Sequence, residues 1–499
     1  MELQFNKSSV AALEPGIQEV RNMEQTQELR LSEGMPDIGA VLGAWGQAVV
    51  RGKEWRPDGI GASAGMMIWI LYAAEDGSGY RCLESWIPFQ FRWELPEGLP
   101  EGRIRIKCLT RFVDARSVSA RKMMIRAGMA CYAQTLSPRE ESVYLPGDMP
   151  EEVQLLRSRY PVRIPREAGE KAFPIDEELT LPESAPQPER IVSCTLQPEI
   201  TEQKVIGNKV VFRGNANARL LYLSEEGQIH GWDFPLPFSQ LGELEADTSG
   251  EAQADTMLCV TNLEPVLDDE GRMRIKCALV GQYLIGDMEM IEVAEDAYSP
   301  GRELKMEREW LELPAVLENR REMLRTEQTV NTEANLAADI RVLPDFPRQR
   351  RTEDGVELAF PGSFQILYYG ADGTLQSANA RWEGDLSLGA DGESRIEAIP
   401  QAVGEPHLTL GNGTMTVRAD IPVQVTTTGK TRIPMVTGLS LGERVQPEPG
   451  RPSLILRRSG GKSMWELAKS CGSTVAAITR ANGLEGEPAE DQMLLIPVS

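Results

Sequence analysis

The 499-residue chain is too long for one hydrophobic core and implies roughly three or four domains. With 52 basic against 75 acidic residues and a net charge of −23, it lacks the basic stripe that nucleic acid requires, and adsorption to anionic lipid is disfavoured. No apolar stretch approaches a membrane span, so no transmembrane insertion is expected; the most apolar segment, GMMIWILYAA (65–74), is strand-sized.

The opening residues, MELQFNKSSVAALEPG, show no basic run followed by an apolar one, so no secretory leader is expected. Seven cysteines (Cys82, Cys108, Cys131, Cys194, Cys259, Cys277 and Cys471) are odd in number and scattered, with no CxxC pair. That pattern suits free thiols in a reducing cytoplasm better than a disulfide framework or a zinc site, and no metal or other cofactor is expected.

Three similar units follow along the chain. Each has a lead-in strand, at LRLSEGMPDIGAVL (29–42), LTLPESAPQPERIV (179–192) and QTVNTEANLAADIRV (328–342). Next comes an apolar strand holding Tyr72, Tyr222 or Tyr368 and ending in acidic residues and Gly, which predicts a hairpin turn. A third anchor aligns GRIRIKCLTRF (102–112) with GRMRIKCALVG (271–281) and NGTMTVRADIPVQV (412–425). These alternate as half-buried strands do, with Ile104, Ile106 and Cys108 on one face and Arg103, Arg105 and Lys107 on the other. On that alignment the first unit is shorter than the second between its Tyr and its Lys, as if a segment were lost near ELPEGLPEG (94–102).

The predicted division is 1–150, a first repeat with a lead-in, then 160–306 and a divergent 307–440, then a linker at 441–452 and a C-terminal domain at 453–499. The Pro- and charge-rich stretch 160–189 reads as extended linker, and the stretch after Pro314 as a short helix. Basic clusters at 318–325 and 347–355 suit either solvated faces balanced by nearby acids or contacts to an anionic surface.

The tail begins with RRSGGKSMWELAKSCG (457–472). Its GKS suggests a phosphate loop, but that loop needs Gly where Leu456 stands. Ser463 and Glu466 instead form a capping box, Met464, Leu467 and Ala468 make one apolar helix face, and Gly472 stops the helix. Thr474 caps a second helix with Val475, Ile478 and Ala481 inward and Gly483 as terminator. Apolar runs at 453–456 and 493–498 complete a strand–helix–helix–strand pattern.

Catalysis has little material. His230 and His407 are the only histidines, and neither stands in a triad or metal-ligand motif, while Asp268 and Asp269 sit in a turn sequence. No catalytic residue is nominated.

Over Gly461, Ser463, Met464, Trp465, Leu467 and Ala468, then Gly472, Thr474, Val475, Ile478, Ala481, Asn482 and Leu484, the tail resembles a LysM domain. The resemblance implies a shallow groove for N-acetylglucosamine-containing glycan between loops 460–464 and 482–486. The candidate binding residues are Gly460, Gly461, Lys462, Ser463, Met464, Trp465, Asn482, Gly483 and Leu484. Lys462 stands where that family usually has an acid and reverses the groove's charge there; Trp465 suits packing as well as a ligand platform.

The repeats, through YPVRIPREAGEKAFPIDEELTLPE (160–183), the Tyr-strand turns and the RIRIKC and RMRIKC strings, resemble SPOCS domains. Tandem SPOCS repeats ending in LysM resemble clostridial spore-coat assembly proteins of the SipL type. The resemblance implies a mainly β fold of tandem repeats with a small α+β (βααβ) tail. It implies a non-catalytic scaffold of the mother-cell cytoplasm, placed at the forespore surface. Its partners there would be the morphogenetic ATPase of the coat base, docked through the LysM tail, and other coat proteins. The alternative is a binder of cortex or cell-wall peptidoglycan through the same groove.

Overall fold

Alternation of apolar and polar residues runs through almost the whole chain, and the computed structural model turns it into antiparallel strands. It describes residues 2–96, 98–182, 184–353, 355–389, 394–411, 413–446 and 450–498. The fold is mainly β.

After a two-residue strand β1 (Glu2–Leu3), the first unit comprises β2 (Phe5–Arg30), β3 (Ile38–Arg56), β4 (Gly59–Ala74), β5 (Tyr80–Glu94), β6 (Arg103–Ser119) and β7 (Lys122–Pro146). The second comprises β8 (Gln154–Leu179), β9 (Pro188–Ile206), β10 (Lys209–Ser224), β11 (Ile229–Glu243), β12 (Gln253–Leu267) and β13 (Met273–Tyr298). The third comprises β14 (Arg302–Asn331), β15 (Ala334–Pro344), β16 (Arg348–Thr352), β17 (Gly355–Gly370), β18 (Leu375–Leu388), β19 (Arg395–Pro400), β20 (His407–Gly411) and β21 (Thr414–Arg444). The tail holds β22 (Leu454–Arg458), α1 (Met464–Cys471), α2 (Val475–Asn482) and β23 (Met493–Pro497).

Each unit folds as two packed antiparallel sheets. The short sheets run β3-β4-β5, β9-β10-β11 and β15-β17-β18, with the Tyr strand central. The long ones run β2-β7-β6, β8-β13-β12 and β14-β21 with β19, so the first and last strands of each unit pair with one another. Tyr72, Tyr222 and Tyr368 are buried, and the hydroxyls of Tyr72 and Tyr368 bond to Pro36 O (3.0 Å) and Gln376 Oε1 (3.1 Å). The three predicted turns are alike. Gly77, Gly227 and Gly373 lie at φ 74°, 76° and 76°, where a side chain would be strained, and each donates its N–H three residues back.

The third anchor is corrected. RIRIKC lies on β6, whereas RMRIKC opens β13, and these strands are not equivalent. The counterpart of Met273 and Met415 is Met123, at the start of β7. Tyr72 is then separated from Met123 by the same spacing as Tyr222 from Met273, so the first unit has lost nothing. String identity misled because both stretches alternate in the same way.

The segments read as linker and helix are also strands. Residues 160–179 belong to β8, which pairs with β13 from Gln154 onward, and Pro314 faces Lys430 across β14 and β21. Boundaries at 160 and 307 therefore cut through paired strands, and of the linker at 441–452 residues 447–449 lie outside the described ones. The physical reason is position. β8 and β14 have one long partner each, and a proline whose missing N–H faces away from the ladder is tolerated on an edge.

Midway along each long hairpin the register slips, at Pro15/Gln18, Ile285/Gly286 and Val316/Glu318. Beyond the slip the hairpins leave their own sandwiches and pack on one another, with Ala12, Val143, Val162, Val293, Leu313 and Ile433 in a shared core. The face predicted to carry Arg105 and Lys107 outward also turns inward here: Arg105 is 2% exposed and Lys107 9%.

Arg105 on β6, Asp255 on β12 and Glu397 on β19 face Gln134, Leu284 and Thr426, which share one spacing from Met123, Met273 and Met415. They are one position in three units, and they meet. Arg105 Nη2 lies 3.0 Å from Asp255 Oδ2 and its Nη1 3.6 Å from Glu397 Oε1, with Gln134 Oε1 accepting at 2.8 Å. The Tyr132 hydroxyl donates to Glu397. One guanidinium cannot neutralise two buried carboxylates. Burial pushes the Glu397 carboxyl up to about 7, the Asp255 charge adding to the effect and Arg105 opposing it.

Removing Arg105 would leave both acids buried without a counter-charge. Arg105→Leu is expected to cost about 3–5 kcal/mol in urea unfolding, much of it recovered when Asp255→Asn and Glu397→Gln are added. Between about pH 4.5 and 7 folded Glu397 keeps a proton that the unfolded chain releases, so its contribution to stability is fullest below that window and falls as pH rises through it. Unfolding midpoints measured from pH 4.5 to 7.5 should show this fall in the parent and a flatter profile in Glu397→Gln.

Candidate functional site

The tail orders its loops with its own backbone and caps. Gly460 and Gly461, at φ 56° and 73°, form a turn in which Lys462 N–H donates to Ser459 O. Ser463 then caps α1: its Oγ accepts from Glu466 N at 3.2 Å, and Glu466 Oε2 accepts from Ser463 N at 2.9 Å. Those bonds from Ser463 hold the Glu466 carboxyl below its usual range.

From the loop after α2, Glu487 Oε2 accepts the Met464 N–H at 2.7 Å, and Ser459 bonds to Gln492 O and Ala489 O. The turn before α1 is thus stitched to residues 487–492, just beyond the second predicted groove loop, and Glu487 and Glu466 occupy the donors at the start of α1. Nothing in the sequence pattern singles out Glu487, which stands in an ordinary acidic loop.

Met464, Leu467, Ala468 and Cys471 form the buried face of α1, and Gly472 and Gly483 stop the two helices in left-handed conformations at φ 64° and 61°. Ile478 is buried and Val475 and Leu484 pack against the same core, but Ala481 is exposed. Asn482 faces inward in its place. Its Nδ2 donates to Ile478 O (2.8 Å) and Leu495 O (2.7 Å), while its Oδ1 accepts from Leu495 N (2.7 Å). Asn482 therefore ties α2 to β23.

Trp465 and Lys469 point at the end of β13. The Trp465 ring meets Tyr298 edge-on at 4.8 Å and 70°, and its Nε1 donates to Asp296 Oδ2 at 2.9 Å. Lys469 Nζ lies 2.6 Å from the same oxygen, and Arg308 reaches Asp296 from β14. Burial raises the Asp296 carboxyl, but the bonds from Lys469 and Trp465 outweigh it and hold the group below its ordinary value. The Tyr298 hydroxyl, pushed up to about 12 chiefly by burial, donates to Ser473 O at 3.0 Å. Of the two roles open to Trp465, packing is the one seen. Asp296 and Tyr298, in AEDAYSPG (294–301), carry no signal in the sequence that marks them as a dock.

The nine candidate residues therefore divide. Ser463, Met464, Trp465, Asn482 and Leu484 serve caps, core or dock, whereas Gly460, Gly461, Lys462 and Gly483 are exposed on the two loops. Elsewhere, His230 packs beside Tyr222 in the second unit and His407 is exposed on β20 of the third. Asp268 forms its turn by accepting from Glu270 N and Arg272 N, both at 2.9 Å. The basic clusters are tied to acids: Arg320 to Glu318 and Glu322, Arg321 to Glu199, Arg350 to Glu357.

Residues 187–265 match the family model described as SipL, SPOCS domain. The second unit carries a SPOCS domain. No curated protein and no solved structure matches the chain. The SPOCS match spans the short sheet of the second unit plus nearly all of β12, the strand that carries Asp255 to the centre. It excludes the long β8–β13 hairpin on whose end the tail sits. No helix among the described residues is long and apolar enough to cross a membrane.

If Asp296 holds the tail in place, Asp296→Ala should loosen it without unfolding the repeats. Hydrogen exchange is expected to rise at least tenfold for amides of α1 and β22 and to stay unchanged on β10, whose amides are remote from the dock.

Proposed function

We propose that this SPOCS-domain protein is a non-catalytic assembly component of the spore coat, acting in the mother-cell cytoplasm at the forespore surface. The match at 187–265 carries the reading, because a SPOCS domain associates a chain with the sporulation coat. The first and third units repeat the topology of the second, which supports treating all three as SPOCS repeats. Joined through the Arg105, Asp255 and Glu397 cluster, they suit spacing and contact.

The tail is proposed as a LysM-type module that docks on the morphogenetic ATPase of the coat base. Its inner side is spent on Asp296 and Tyr298, so its outer side is left for a partner. That side presents Lys462 at a glycine turn free of bulky neighbours, a cation on a chain of net charge −23. A partner with an acidic or carbonyl-rich surface fits it. Sugar recognition has less to work with, since Trp465 faces the repeats and both amide atoms of Asn482 are bonded within the tail.

The test is recovery of the coat-base ATPase on the full chain and on a chain lacking 453–499. Recovery should fall at least tenfold without the tail and severalfold in Lys462→Glu. Equal recovery would remove the docking role. Saturable binding of N-acetylglucosamine oligomers by the full chain, lost with the tail, would favour the peptidoglycan reading.

A further inference from the structure

Among the seven cysteines, Cys108 and Cys131 stand apart in geometry. They are direct partners across the β6–β7 ladder, and their sulfurs lie 3.3 Å apart. Directly opposed residues of an antiparallel pair have Cα atoms about 4.5–5.5 Å apart, inside the span of about 4.4–6.8 Å that a disulfide bridges. Rotation of the two side chains is enough to bring the sulfurs to bonding distance, with no movement of strands.

Access differs between the partners. Cys131 is fully buried, whereas Cys108 is half-buried and lines a cavity of about 120 Å³ where the three repeats meet. That volume admits a small oxidant but no protein. The remaining thiols are occupied or enclosed. Cys259 donates to Ile106 O at 2.8 Å and accepts from Gln282 Nε2, and Cys82 donates to Val192 O at 3.0 Å. Burial pushes Cys194 up to about 12 and Cys277 up to about 11.

We propose that Cys108 and Cys131 form a modification site for peroxide, which converts this cross-strand dithiol into a disulfide. The Cys108 thiolate attacks one peroxide oxygen; an S–O bond forms, the O–O bond breaks and hydroxide leaves, so the sulfur is oxidised to a sulfenic acid as the peroxide is reduced. The Cys131 thiolate then attacks that sulfur, the S–O bond breaks, and the departing hydroxide takes up the proton Cys131 gave up. Two thiols and one hydrogen peroxide become one disulfide and two waters. The bond to Cys108 and burial both hold the Cys131 thiol well above its ordinary range, so the second step should quicken as pH is raised from 7 to 9.

The product would clamp β6 to β7 beside Arg105, Gln134 and Tyr132, the first repeat's share of the central cluster. This inference stands independently of the coat reading.

The experiment treats the folded full chain with hydrogen peroxide, alkylates remaining thiols in denaturant and maps tryptic peptides. Peptides 108–111 and 127–139 should appear joined, lighter by two hydrogens, with the other five cysteines alkylated. In Cys131→Ser, a sulfenic acid should accumulate at Cys108 and be trapped by a dione probe. Seven alkylated thiols after treatment would overturn the proposal, as would Cys108 oxidised to sulfinic acid while Cys131 remains alkylatable in the parent chain. The parent chain alone decides the matter if the variant misfolds.

Discussion

One guanidinium holds this molecule together at its centre. Arg105, Asp255 and Glu397 occupy the same position in three repeats, and the fold brings that position to a common point. An exact threefold copy would have placed three like residues there, and three like charges buried in contact would not coexist. Divergence of the repeats at this site is therefore a condition of their association. The residual imbalance, one cation against two acids, is met by a proton on Glu397 and by the donors Tyr132 and Thr426.

The same asymmetry recurs outward. Arg111 of the first repeat pairs with Asp345 of the third at 2.6 Å, Arg219 of the second with Asp339 of the third at 2.9 Å, and Arg341 of the third reaches Ser193 and Thr195 of the second. These contacts are particular to each interface, so the order of repeats around the centre is fixed although their backbones are alike. Buried charge of this kind adds less to stability than to specificity, since apolar packing at the hairpins already supplies attraction without direction.

The sequence disclosed period and punctuation well. Strands announced themselves by alternation, turns by acid–Gly pairs at φ-positive glycines, and the helices of the tail by Ser463, Gly472, Thr474 and Gly483, which are local signals that need no tertiary context. What it concealed depends on neighbours far along the chain. Arg105 and Lys107 read as a solvated face because alternation cannot say whether a sheet's second face meets water or another repeat. The proline-rich edge strands read as linker because tolerance of proline is a matter of which side of a strand has a partner. Trp465 stayed open between packing and ligand because its partner Asp296 lies in a segment with no pattern of its own, and Asn482 read as a ligand group because its bonds to Leu495 use backbone atoms, which the sequence pattern does not mark.

The pairing of first with last strand in every repeat also governs how the chain can be made. β2 finds its ladder only when β7 has been synthesised, and β8 and β14 wait in the same way for β13 and β21. Glu2 and Leu3 have their partners in Ser440 and Leu439, so the ring of repeats is sealed from opposite ends of the sequence. Contacts of such separation fold slowly, and translation at about 5–20 residues per second leaves each opening strand unpaired for many seconds. Prolines and charges on those opening strands then have a second effect: they keep a nascent edge from joining a neighbouring ribosome's product before its own closing strand arrives.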